Sequence, residues 1–160
     1  MQTGLAFKVP FRRTGYTLVE VLLVVAMLAV LTAIALPKYN SYRDRVNQTH
    51  AIQDIIVLQA VIKDYFINSG AYPPTLAAVG NGNKVDPWGH PYVYLDLTST
   101  NGKGKARKDR KLNPINSDFD LYSLGKDGVS KTQLSNKDSL DDIVRANDGA
   151  YIGLAADYTQ

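Results

Sequence analysis

The sequence predicts an α+β fold: a long N-terminal helix, apolar in its first half and amphipathic in its second, packed on a small antiparallel sheet with a long C-terminal loop. Three observations carry that expectation. An uncharged run, VLLVVAMLAVLTAIAL, extends from Val21 to Leu36. Beyond it, apolar residues recur at three- and four-residue steps as far as Phe66, the period of one helix face. The rest of the chain is broken into short aromatic-rich runs separated by Gly, Pro, Asn and Asp, the pattern of short strands and turns.

A chain of 160 residues has room for one compact domain and an anchor. The formal net charge is +3, but Lys8, Arg12 and Arg13 supply three positive charges before Gly15, and no acidic residue precedes Glu20. Without that leader the balance is 3 − 3 = 0, so the basic composition is no argument for nucleic-acid binding, and no such partner is expected. There are no cysteines, which excludes a disulfide framework and a thiolate metal site. A small domain of this kind must be held by packing, by a metal or by neighbouring copies.

Taken in order, residues 1–15 read as a leader and residues 16–36 as a membrane-spanning helix. From Tyr16 to Leu36 a helix is roughly 32 Å long at about 1.5 Å per residue, enough to cross a bilayer. The basic residues before it favour a cytoplasmic N-terminus, a preference that Lys38, Arg43 and Arg45 beyond the span oppose. A competing reading makes the apolar run a secretory signal cleaved after Ala33-Ile34-Ala35, releasing a soluble binding module from Leu36. Glu20 at the start of the run, and the helical pattern that continues past Ala35, argue against it.

Glu20 is the informative residue here. An ionisable group in hydrocarbon costs about 2.5–3.5 kcal/mol at the centre of a span, unless it lies near the edge and reaches water. Cleavage between Gly15 and Tyr16 would create an amine four residues before it. Such an amine at about 4 Å is worth about 4 kcal/mol to a carboxylate before desolvation, so an amine from an adjacent copy would make burial tolerable.

Arg12-Arg13-Thr14-Gly15 followed by Tyr16-Thr17-Leu18-Val19-Glu20 resembles a type IV prepilin signal: a short basic leader, Gly before the cut, and Glu fifth after it. The resemblance implies removal of the leader at Gly15 by a prepilin peptidase, methylation of the new N-terminus at Tyr16, and assembly through Glu20. Tyr16 stands where that superfamily more often has Phe.

After Pro37, the positions Tyr39, Tyr42, Val46, Ile52, Ile55, Ile56, Val61, Ile62, Tyr65 and Phe66 predict an amphipathic continuation of the helix, bent or opened at Pro37 and stopped at Ser69-Gly70. Two separate helices would use the same residues. His50 has no ligand partner at helical spacing and reads as a surface or packing residue. Strands are predicted at Pro91–Leu95 and Asp118–Leu124, with Ala150–Leu154 closing the sheet or packing against it.

Within this region, Asp86-Pro87-Trp88-Gly89-His90-Pro91-Tyr92 resembles the DPWG-x-PY turn of the major pseudopilin (protein G) family of type II secretion systems, and Asp120-Leu121-Tyr122-Ser123-Leu124-Gly125-Lys126-Asp127-Gly128 resembles its strand and loop. Pro and Gly fix a tight turn, and Trp88 and Tyr92 supply rigid apolar area. His90 reads as a turn residue. No nucleophile–base constellation, phosphate-binding Gly loop or His-x-x-x-His spacing is present, and an enzyme is not expected.

Two charged loops remain. Asp127, Asp138, Asp141 and Asp142, interleaved with Ser130, Ser135 and Ser139, read as a solvated loop or as an oxygen-rich cage for a hard cation. The family resemblance implies a structural calcium, with Asp127 matching the first acid, Asp142 the second, and Leu124, Val129 and Ser139 supplying carbonyls; the loop is longer than the family's usual version. Lys103, Lys105, Arg107, Lys108, Arg110 and Lys111 form a basic cluster without stacking aromatics. It reads as a solvated hairpin loop in preference to a surface for nucleic acid or anionic lipid, or as a surface that pairs with the acidic Asp138–Asp142 loop of another subunit.

The resemblance thus implies a type IV pilin-like fold, with a periplasmic domain over residues 37–160, and a structural role. Subunits would wait as single-pass proteins of the bacterial inner membrane, then polymerise into a helical pseudopilus with minor pseudopilins on an inner-membrane assembly platform, driven by a separate cytoplasmic ATPase. Growth would push secreted proteins across the outer membrane. A surface type IV pilus for motility or adhesion is the neighbouring alternative; the absence of a C-terminal cysteine pair and the DPWG and LGKDG segments favour secretion.

Overall fold

The computed structural model describes residues 15–99 and 103–158, so the leader residues Lys8, Arg12 and Arg13 lie outside the described residues. One long helix, α1 (Leu18–Ser69), is followed by four short strands, β1 (Val93–Asp96), β2 (Phe119–Ser123), β3 (Ile143–Ala146) and β4 (Tyr151–Leu154). This is the expected α+β, pilin-like architecture. The chain divides into two compact units, Met1–Ser41 and Tyr42–Gln160.

In the first unit α1 continues through Pro37 as helix. Ser41 Oγ donates to the Pro37 carbonyl at 3.1 Å. The helix ends in the second unit at Gly70, whose φ of 75° reverses the chain in the left-handed region that Gly adopts without a Cβ clash. Its N–H bonds back to Phe66 O at 2.8 Å.

The strands form an antiparallel meander in the order β1-β2-β3-β4. Val93 pairs with Tyr122, Tyr122 with Val144, and Val144 with Gly153, so one row of paired residues crosses the whole sheet. β1, β2 and β4 arise from the runs that predicted them. β3 was not foreseen: Ile-Val-Arg-Ala is short and carries a charge, and it follows directly on the acidic residues that read as loop.

Period-2 alternation gives the sheet two apolar layers. On one side Phe119, Leu121 and Ile143 meet Ala51, Ile55, Leu58 and Ile62 of α1 together with Leu76 and Tyr92. The other side collects Val144, Ala146, Ile115, Leu134, Ala155 and Tyr158. Each fully buried Leu, Ile or Phe contributes about 1.5–3 kcal/mol relative to exposure. The α1 stripe at 51, 55, 58 and 62 is narrower than the periodicity implied, since Tyr39, Tyr42 and Ile56 are exposed.

Candidate functional site

The first candidate site is the start of α1. Gly15 and Tyr16 precede the helix without regular secondary structure, and both are exposed. Thr17 is the N-cap: its hydroxyl accepts from Glu20 N at 3.2 Å, while Glu20 Oε2 accepts from Thr17 N at 2.7 Å and from the Thr17 hydroxyl at 2.8 Å. This reciprocal capping box satisfies orphan donors of the first turn and holds the carboxylate at the positive end of the helix. The Thr17-x-x-Glu20 spacing carries that signal in the sequence. Oε2 is engaged within the chain, and Oε1 has no partner among the described residues.

From Leu18 to Leu36 every large apolar side chain is more than half exposed, Val21 at 52% being the most covered. An 18-residue window here has a mean hydropathy of 2.7. A helix that is apolar on all sides and uncovered by its own chain needs lipid or other helices around it.

The second candidate site is where the two motif segments meet. Asp86 Oδ1 accepts from Trp88 N at 3.0 Å and His90 N at 2.8 Å, closing the DPWG turn, and its Oδ2 accepts from the Ser123 hydroxyl of β2. His90 Nδ1 lies 3.1 Å from Gly125 O. Gly125 has φ of 65°, and a Cβ there would collide with the Asp141 carbonyl. His90 is therefore a turn residue that joins the two loops, and the exposed His50 takes no part.

The residues expected to bind calcium are arranged as follows. Asp127 is exposed, and its Oδ1 accepts from Val129 N at 2.8 Å, an Asx turn. The acid that reaches this turn is Asp141, whose Oδ2 accepts from Lys126 N at 2.8 Å and Asp127 N at 3.0 Å. Asp142 is fully buried; its Oδ2 takes Arg107 Nη2 at 2.7 Å and the Ser130 hydroxyl at 2.6 Å. Burial pushes its carboxyl up to about 6, against the pull of Arg107 and Ser130. The Ser139 carbonyl faces Asp142 N at 3.3 Å and its hydroxyl is held by Lys131. Leu124 is half-buried and Val129 exposed.

This arrangement does not fit a calcium shell. Calcium takes about six to eight oxygens. No group of three or more Asp, Glu or His side chains converges among the described residues, and Asp142 already holds a cation. Its Oδ1 is the one buried carboxylate oxygen of the cluster left without a partner.

Arg107 also departs from its sequence reading. The basic stretch was expected to be solvated or to face another subunit, yet Arg107 is 2% exposed and bonds the acidic loop of its own chain. Lys108 N donates to Thr132 O at 3.0 Å and Leu134 N to Lys108 O at 3.0 Å, so a parallel bridge fastens one loop to the other. Lys105, Arg110 and Lys111 are exposed.

Residues 10–36 match a family profile described as the prokaryotic N-terminal methylation motif. The chain is similar to the type II secretion system core protein G of Pseudomonas aeruginosa, 33% identical over 138 residues, 73% of this chain and 86% of that one. The protein of the same name from Aeromonas hydrophila is 28% identical over 142 residues, 76% of this chain and 88% of the other. A fimbrial protein of Neisseria meningitidis is 24% identical over 151 residues, 91% of this chain and 86% of its own length. No solved structure matches.

Proposed function

The chain belongs to the type II secretion system core protein G family, and from that membership we propose that it is the major pseudopilin that polymerises through α1 into a secretion pseudopilus. It is a pilin-like structural subunit and not an enzyme. The observation that carries the proposal is the helix from Leu18 to Leu36: apolar on every face, uncovered by its own chain, and opened by the capped Glu20 directly after a prepilin-type cleavage sequence.

In the membrane, lipid surrounds this segment and the C-terminal domain stands in the periplasm. A prepilin peptidase removes the leader at Gly15. In the filament, identical helices from neighbouring copies replace lipid, with minor pseudopilins and an inner-membrane platform as further partners. Glu20 Oε2 remains on its own Thr17, and Oε1 receives the Tyr16 amine of the adjacent subunit. Van der Waals contact between helices and the amine–carboxylate pair then drive association where no hydrophobic gain over lipid exists.

The alignment with the Neisseria fimbrial protein over 91% of the chain favours a second reading, a surface pilus. Cells lacking the chain separate the two. Retention of exported proteins in the periplasm with normal surface motility supports the pseudopilus; lost motility or adhesion with normal export supports the pilus.

A further inference from the structure

We infer that the Arg107 guanidinium is the built-in cation of the C-terminal loop, doing in this chain the work expected of calcium and making the loop independent of divalent ions. Of the two acids expected to hold an ion, the guanidinium meets Asp142. Nη2 reaches Asp142 Oδ2 at 2.7 Å and Nη1 the Ser130 hydroxyl, so one planar group ties the acidic loop at two points. The guanidinium carbon lies 4.2 Å from the centre of the Tyr122 ring, which covers its face from β2.

The backbone of Arg107 is engaged as well. Its N–H donates to Asp120 Oδ2 at 2.6 Å and its carbonyl accepts from Ile115 N at 2.9 Å. Asp120 Oδ1 in turn accepts from Asn116 Nδ2 at 2.9 Å. A residue whose main chain is anchored to β2 and whose side chain reaches 35 positions along the sequence fixes the acidic loop against the sheet.

The consequence is exclusion. Asp142 is 0% exposed and its partnered oxygen already has two donors, so a dication there would sit beside the buried guanidinium of Arg107. Asp127, the other expected acid, points its exposed carboxylate at its own turn. The longer acidic loop and the basic stretch are thus one device, a loop and the arginine that clasps it.

The test uses the full chain in detergent, with unfolding followed by fluorescence of Trp88, the single tryptophan. Melting curves in millimolar calcium and in excess chelator should coincide, and trypsin should cut the chain at Lys131 and Lys137 no faster in chelator. Arg107→Met should lower the melting temperature by about 10 °C or more in both media. Arg107→Lys should recover less than half of the loss, because an ammonium cannot bridge both oxygens in one plane. Asp127→Ala should melt like the unmodified chain. A lower melting temperature or faster cleavage of the unmodified chain in chelator overturns the inference, and so does an Arg107→Met variant that melts normally. If Arg107→Met fails to fold, the comparison of the unmodified chain with and without calcium still decides.

Discussion

Arg145 grips Asp118 with both terminal nitrogens, Nη1 to Oδ1 at 2.7 Å and Nη2 to Oδ2 at 2.6 Å, beneath the α1–sheet contact. Its guanidinium stacks 3.9 Å from the centre of the Phe119 ring, and its Nε donates to Gln59 Oε1 of α1. The arginine is 1% exposed, so its charge is compensated by Asp118 and not by water. Arg145→Met would strand Asp118 and should cost about 3–5 kcal/mol in urea unfolding followed at Trp88. Arg145→Lys should remain well below the unmodified chain, since a point charge cannot reproduce the bidentate fork. Stability within about 1 kcal/mol for the Met variant would show that Arg145 does not lock the helix to the sheet.

Glu20 has two separable duties, the cap within its own chain and the proposed pair with a neighbour. Glu20→Gln keeps oxygen for Thr17 N but removes the charge; Glu20→Ala removes both. Both variants should insert into the membrane at normal or higher levels and be processed at Gly15, and both should fail to form filaments. Filament yield from Glu20→Gln equal to that of the unmodified chain would leave the residue with the cap alone.

Asp148 gives the domain an acid-sensitive joint. Partial burial alone would raise its pKa, but the Ser117 N–H at 2.7 Å and the Ser117 hydroxyl at 2.7 Å outweigh it and hold the carboxyl below its ordinary value. A folded pKa below the unfolded one means that its contribution is complete above about pH 4 and fades as pH falls through the folded value. Asp148→Asn keeps a side chain suited to the local φ of 55° while removing the charge. The variant should melt lower at neutral pH and lose less than the unmodified chain on acidification. Parallel melting-versus-pH curves would remove Asp148 from the acid response.

Local signals made most of the fold legible. The helix from Leu18 to Ser69 follows from length and period, and β1, β2 and β4 follow from aromatic runs between turn residues. β3 was hidden because Arg145 interrupts its apolar pattern, and only the tertiary partners Asp118 and Gln59 make that arginine a core residue. The same limit applied at the C-terminal loop. Asp127 and Asp142 stood out by motif, but the pairing of Asp142 with Arg107 spans 35 residues and has no periodic trace. Nothing in a run of Lys and Arg separates the one cation that is buried from those that are exposed.

Entry of α1 into a filament requires a processed prepilin helix, and the mass of the mature N-terminal peptide isolated from membranes tests that processing most directly. The expected peptide begins at Tyr16 and carries one added methyl group, and Gly15→Val should abolish it and leave uncleaved precursor in the membrane. A mature chain beginning at Leu36 would mean that the apolar helix is discarded as a secretory signal, and would contradict the account.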